Sequence, residues 1–109
     1  MDNFPNWITD PEEIAPEEYA GSLDLNGLTS AKGLRLPKRV WGSLYLGGLT
    51  SAEGLRLPKR VGNYLALSGL TSAKGLALPE WVGGRLFLGG LTSADRDQLR
   101  AAHPYLRII

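Results

Sequence analysis

Apolar and polar positions alternate along most of this chain in a pattern that repeats every 21 residues. The tetrapeptide Gly-Leu-Thr-Ser begins at Gly27, Gly48, Gly69 and Gly90. The segment 21–40 recurs as 42–61 and again as 62–82, and a fourth copy starts at Gly84 and loses the pattern after Ala94. Such a period is typical of repeat proteins, in which each unit buries its apolar face against its neighbours.

Each repeat contains two short alternations of leucine with a variable residue. The first is Leu23-x-Leu25 and the second is Leu34-x-Leu36, and both recur in the later copies. Alternation with a period of two residues predicts half-buried strands whose leucines share one face. Glycine and proline lie between the alternations and predict turns, at Gly27, Gly33, Pro37 and Gly42.

The C-terminal end departs from the repeat. Residues 95–103 have a helix-forming composition, with Ser93 as the predicted N-cap and Pro104 as the stop signal. Residues 105–109 resume the alternation and predict a strand, with Leu106 and Ile108 equivalent to the second alternation of the third repeat, Leu76 and Leu78. We therefore expect a helix and a strand to close this end.

The N-terminal end also differs from the repeat. Residues 10–13 predict a helix start, because a proline at the first helical position is followed by acidic residues. Residues 16–19 occupy the register of residues 37–40 and indicate a degenerate repeat. The apolar residues available to cover the first repeat are Phe4, Trp7, Ile8 and Ile14.

The spacing Val-x-x-x-Leu-x-Leu-x-x-Leu, with Leu-x-Leu-Pro and Gly-Gly-x-Leu-x-Leu elements, resembles the leucine-rich-repeat class of solenoids over about residues 14–109. It is most similar to short-period bacterial and prophage variants. We predict a mainly β, leucine-rich-repeat-like solenoid with two short strands per coil. Its single domain would comprise an N-terminal cap and degenerate coil (1–20), the repeats (21–94), and a C-terminal capping helix plus strand (95–109). The resemblance implies a module that recognises other proteins.

Composition removes several kinds of chemistry. The 109 residues include no cysteine and one histidine, so the sequence excludes disulfides, thiol catalysis and cysteine-ligated metals. His103 lies at the predicted helix end, and the Thr-Ser pairs recur in every repeat as turn residues do, so no catalytic set is formed. We expect no enzyme activity, no cofactor and no bound metal. No apolar run could span a bilayer and no secretory leader is evident, so we expect a cytoplasmic protein without membrane association.

Charge is unevenly distributed although the net charge is +1. Residues 1–20 carry six acidic and no basic side chains, whereas the remainder carries twelve basic and five acidic side chains. A basic patch is predicted at Arg35, Lys38, Arg39, Arg56, Lys59 and Arg60. Binding of nucleic acid or another polyanion is the alternative function that this patch indicates. Acidic residues flank the basic ones one period away, however, so strand pairing and solubility are the favoured interpretation.

The outward positions of the first alternation vary most between repeats. They place aromatic residues and an arginine on one face, and such residues are enriched in protein interfaces. The predicted protein-binding residues are Trp41, Tyr45, Tyr64, Arg85 and Phe87. We therefore expect an adaptor or stoichiometric inhibitor that binds another protein as a monomer or weak homo-oligomer. The alternatives are cross-strand packing of the same rings, and self-assembly through the Ile108-Ile109 end or an exposed strand edge.

Overall fold

The computed structural model describes residues 5–8, 10, 12 and 16–109. These residues form two parallel sheets and one α-helix. The strands are β1 (Glu18–Tyr19), β2 (Leu23–Asp24), β3 (Arg39–Val40), β4 (Leu44–Tyr45), β5 (Arg60–Val61), β6 (Leu65–Ala66), β7 (Trp81–Val82), β8 (Arg85–Phe87) and β9 (Arg107–Ile108). Helix α1 spans Ser93–Ala102, and a short 3-10 helix spans Asn6–Ile8.

Each of the three complete repeats contributes one strand to each sheet, and the fourth copy contributes β8 to the second sheet. The first sheet has the order β1-β3-β5-β7 and the second has the order β2-β4-β6-β8-β9. Pairing follows the 21-residue period, since Arg39 is opposite Arg60 in the first sheet and Leu44 is opposite Leu65 in the second. Stacked copies thus make the molecule longer than wide, with extents of 40 × 24 × 20 Å.

The core consists of aligned apolar columns. Leucines of the first alternation and the valines of β3, β5 and β7 are buried, as in Leu44, Leu46 and Val40. Burial of a leucine or valine side chain contributes about 1.5–3 kcal/mol. A single short repeat could not bury these side chains on its own, so this stabilisation depends on the stacking of the repeats. These columns are shielded from water only because neighbouring repeats cover them.

The second strand of the repeat forms later in the chain than the alternation at Leu34 and Leu36 predicted. Leu34 and Leu36 are half-buried but not in a strand, whereas the ladder of the first sheet begins after Pro37. Proline has no N–H to donate, so pairing starts at Lys38, whose N–H donates to the Glu17 carbonyl (2.8 Å). The turn before this segment contains Gly33, whose φ of 73° favours glycine.

Two details of the C-terminal prediction are also corrected. The N-cap of α1 is Thr92, whose Oγ1 accepts the Asp95 N–H (3.1 Å), and Ser93 is the first helical residue. Strand β9 does not match Leu76 and Leu78. Instead, Ile108 pairs with Leu86 in the second sheet, because the chain forms α1 after β8, where the earlier repeats form a first-sheet strand.

At the N-terminal end the register prediction is confirmed, since Glu18 pairs with Arg39 and Tyr19 with Val40. Ile8 is fully buried, and Trp7 packs against the core with its ring centroid 6.0 Å from that of Tyr19. Of the predicted helix start at 10–13 the structure describes only Asp10 and Glu12, neither of them in a helix, and Phe4 and Ile14 lie outside the described residues. Within the described part of the chain, no helix is long and apolar enough to cross a membrane.

Candidate interaction surfaces

The outer face of the second sheet carries four of the predicted binding residues. Parallel pairing aligns one column, in which Tyr45 follows Asp24 and Phe87 follows Ala66. Tyr45 and Phe87 are half-buried, and the Tyr64 ring lies 5.8 Å from the Phe87 ring at an angle of 58°. We call Tyr45, Tyr64, Arg85 and Phe87 the aromatic face.

The neighbouring column shows how Tyr64 is positioned. The Ser22 Oγ accepts the Ser43 N–H (2.8 Å), and the Ser43 Oγ accepts the Tyr64 N–H (3.1 Å). These serine side chains continue the hydrogen bonding between repeats, and Ser43 is only 2% exposed. Tyr64 and Arg85 stand at the equivalent positions of the later repeats and are exposed, with Tyr64 at 40%.

Trp41 lies apart from the aromatic face. It follows β3 at the corner between the sheets, and it lines a groove of about 370 Å³ on the first-sheet side. The groove is also lined by Arg39, Arg60, Gly62, Glu80 and Trp81. Trp41 and Trp81 are 56% and 46% exposed. We call this region the tryptophan groove.

Trp81 was not among the residues predicted from the sequence. The 21-residue register aligns Trp81 with Glu18, Arg39 and Arg60, a column whose other members are all charged. The available signal was that Trp41 lies two residues after Arg39, and that Trp81 follows Arg60 by one period.

The predicted basic patch is only partly available. The Arg35 Nη1 donates to the Asp10 carbonyl (2.7 Å), so this side chain is tied to the N-terminal segment. Lys38 pairs with Glu17 at 3.7 Å and Arg39 pairs with Glu18 at 3.8 Å. Among the described residues no ion pair involves the remaining members, which are Arg56, Lys59 and Arg60.

The serine and histidine side chains that are chemically capable of catalysis lie in turns and at a helix end. The Ser30 Oγ accepts the Lys32 N–H (3.1 Å), and the equivalent serines at 51 and 72 make the same turn contact. His103 is the C-cap of α1, where its ring packs edge-on to Tyr105 at 6.2 Å and its buried Nδ1 has no hydrogen-bond partner. In the part of the chain described here, no cluster of three or more His, Asp or Glu side chains could hold a metal ion.

Two further grooves lie along the turns that follow the Thr-Ser pairs, with volumes of about 390 and 410 Å³. Ser51 and Glu53 line both of them, and the second continues the first by one repeat. They therefore follow from the stacking of equivalent turns. The tryptophan groove differs because its residues change from one repeat to the next.

Comparison of the chain with protein-family models, with curated proteins and with solved structures found no match.

Proposed function

We propose that this chain is a capped, leucine-rich-repeat-like solenoid that acts as a non-enzymatic protein-binding module. Its binding surface is the aromatic face, and its mechanism is rigid display of side chains on a fixed sheet. A cytoplasmic adaptor or stoichiometric inhibitor of bacterial or phage origin fits this size and resemblance. The observation that carries the proposal is the outward Tyr64–Phe87 pair above an unvarying leucine core.

The difference between inward and outward positions supports this function. Inward positions in the second sheet are leucine in every repeat, as at Leu44, Leu65 and Leu86, whereas the outward position changes from Asp24 to Tyr45, Ala66 and Phe87. Large rings held on a fixed backbone bury much area with little loss of side-chain entropy. Arg85 adds a charged group at the edge of the same face.

Affinity capture with the intact chain tests the aromatic face. The comparison is between wild type and the Tyr45→Ala/Tyr64→Ala/Phe87→Ala variant, with Arg56→Ala as a control that removes an exposed side chain elsewhere. We expect a partner protein that wild type and the control retain and that the triple variant loses. Equal capture by all three chains would contradict the proposal, provided that circular dichroism shows the triple variant to be folded.

The basic patch remains the alternative binding surface. With Arg35 engaged and two of its members in ion pairs, Arg56, Lys59 and Arg60 would have to supply most of the binding. Nucleic-acid binding through these residues would weaken steeply with added salt. Capture that disappears after nuclease treatment would favour this alternative over the aromatic face.

A further inference from the structure

We propose that the tryptophan groove is a second binding site, and that its ligand is an acidic peptide segment carrying a proline or aromatic ring. The ring lies between Trp41 and Trp81, and a carboxylate of the same segment pairs with Arg60. This site lies on the first-sheet side of the molecule and does not depend on the aromatic face. It has three independent supports, which are the exposed indoles, the open floor and the unpaired charge.

The first support is the exposure of two indole rings. Trp41 and Trp81 are 56% and 46% exposed, whereas Trp7 packs against the core beside Tyr19. Indoles are among the largest apolar side chains, and they favour burial when a partner is available. Their common groove of about 370 Å³ is within the range of small ligand sites. It has room for one ring and the residues beside it.

The second support is the run of glycines that follows Trp41 in its column. Trp41 is followed one and two periods later by Gly62 and Gly83. A Cβ at Gly62 would overlap the carbonyl group of Trp41, so this position accepts only glycine. A Cβ at Gly83 would lie 2.7 Å from the Cη2 of Trp81, so that ring rests against the glycine backbone. Close stacking of the repeats therefore keeps the floor of the groove open.

The third support is charge. In the described part of the chain no carboxylate forms an ion pair with Arg60, and Arg39 has only Glu18 at 3.8 Å. An incoming carboxylate can accept two parallel hydrogen bonds from a guanidinium, which also fixes its orientation. An acidic group beside a ring therefore matches the groove better than a neutral or basic one.

The charges around the groove favour a peptide over a nucleic acid. Glu80 lines one side, and Glu17 and Glu18 lie along the columns that contain Lys38 and Arg39. A polyphosphate chain carries regularly spaced negative charges, and some of them would face these carboxylates. A peptide can carry a single carboxylate at the position of Arg60. Aromatic-lined grooves also bind proline-containing segments in their extended form.

Selection from a display library of short random peptides tests this site on the full-length chain. Wild type is the bait, and the Trp41→Ala/Trp81→Ala variant is used for counter-selection. We expect enriched sequences in which proline, phenylalanine or tyrosine lies next to aspartate or glutamate. Enrichment of basic sequences, of sequences without a ring, or of no sequences would overturn the proposal.

Titration with the synthetic consensus peptide, followed by tryptophan fluorescence, then assigns the residues. Trp81→Ala and Arg60→Ala should each weaken binding about tenfold or more. Arg60→Lys should recover only part of the loss, because lysine lacks the bidentate geometry. Arg56→Ala removes an exposed arginine that does not line the groove, and it should leave the affinity unchanged.

Two further arms separate this site from the other surfaces. The Tyr45→Ala/Tyr64→Ala/Phe87→Ala variant should bind the peptide as wild type does, whatever the outcome for the aromatic face. An oligothymidylate should not displace the peptide at matched salt. Loss of peptide binding in the triple variant, or displacement by the oligothymidylate, would overturn the proposal. Arg60→Ala keeps the test valid even if a tryptophan variant fails to fold.

Discussion

The two sheets share one repeated backbone but present different outer surfaces. In the first sheet the outward column runs from Glu18 through Arg39 and Arg60 to Trp81. In the second sheet it carries two aromatic rings, Tyr45 and Phe87. Both sheets cover the same buried leucines and valines. Inward positions therefore set the architecture, and outward positions are free to differ in chemistry.

The sheets also end differently. The second sheet gains β9 beyond β8, whereas β7 is the last strand of the first sheet. Helix α1 lies between β8 and β9 in the chain, and the Arg100 Nε donates to the Ile108 carbonyl (3.0 Å). The C-terminal segment therefore closes one sheet with a strand. The other sheet receives no such strand from the described residues.

The largest expected effect comes from the core that both sheets share. Leu65→Ala removes a fully buried side chain in β6 and should lower the free energy of unfolding by about 2–5 kcal/mol. Val61→Ala removes two methyl groups from β5 and should cost about 1.5 kcal/mol. Urea denaturation measures both. A cost below about 1 kcal/mol for Leu65→Ala would be inconsistent with a close-packed leucine column.

Glycines between the sheets should divide into two kinds. Gly62→Ala introduces a Cβ that overlaps Trp41, and it should cost about 1–3 kcal/mol. At Gly54 the added Cβ meets open space, but the φ of 75° is unfavourable for alanine by about 1–2 kcal/mol. Asparagine tolerates this conformation, so Gly54→Asn should be milder than Gly54→Ala. Gly62→Asn should show no such recovery in thermal denaturation, and recovery there would argue against the close approach.

The helix that leads to β9 should depend on its true N-cap. Thr92→Ala removes the acceptor of the Asp95 N–H and should cost about 1 kcal/mol. Thr92→Ser keeps an oxygen at this position and should be nearly neutral, and Ser93→Ala should cost less than Thr92→Ala. Thermal melts rank the three variants. A larger loss of stability for Ser93→Ala than for Thr92→Ala would indicate that Ser93 is the N-cap, as the sequence predicts.

The smallest expected effect is at the ion pair of the first sheet. Glu18 and Arg39 are 3.8 Å apart, and about half of each side chain is exposed to solvent. Glu18→Gln should therefore change the free energy of unfolding by less than about 1 kcal/mol, and the difference should shrink as salt is added. Chemical denaturation at low and high salt provides the measurement. A larger, salt-independent loss would mean that this pair is more than a screened surface contact.

Periodicity predicted much of the candidate surface. The remainder depended on which residues of adjacent repeats lie next to one another. The alternation around Leu44 and Leu65 was sufficient to predict that Tyr45 and Tyr64 lie outward. It could not separate Trp41 from these tyrosines, because the corner at residues 41–42 turns the chain between the sheets. Trp81 was missed for a similar reason, since it lines a groove whose residues come from three repeats.

The sequence by itself determined the 21-residue register, the leucines that are buried, and the presence of one C-terminal helix. These features depend on local alternation and on the need of each repeat to bury its apolar face. Only the tertiary structure decided that the first sheet begins after Pro37, that Thr92 caps the helix, and that Ile108 pairs with Leu86. Those outcomes depend on which backbone groups of adjacent repeats meet, and hydrophobic pattern alone does not encode that geometry.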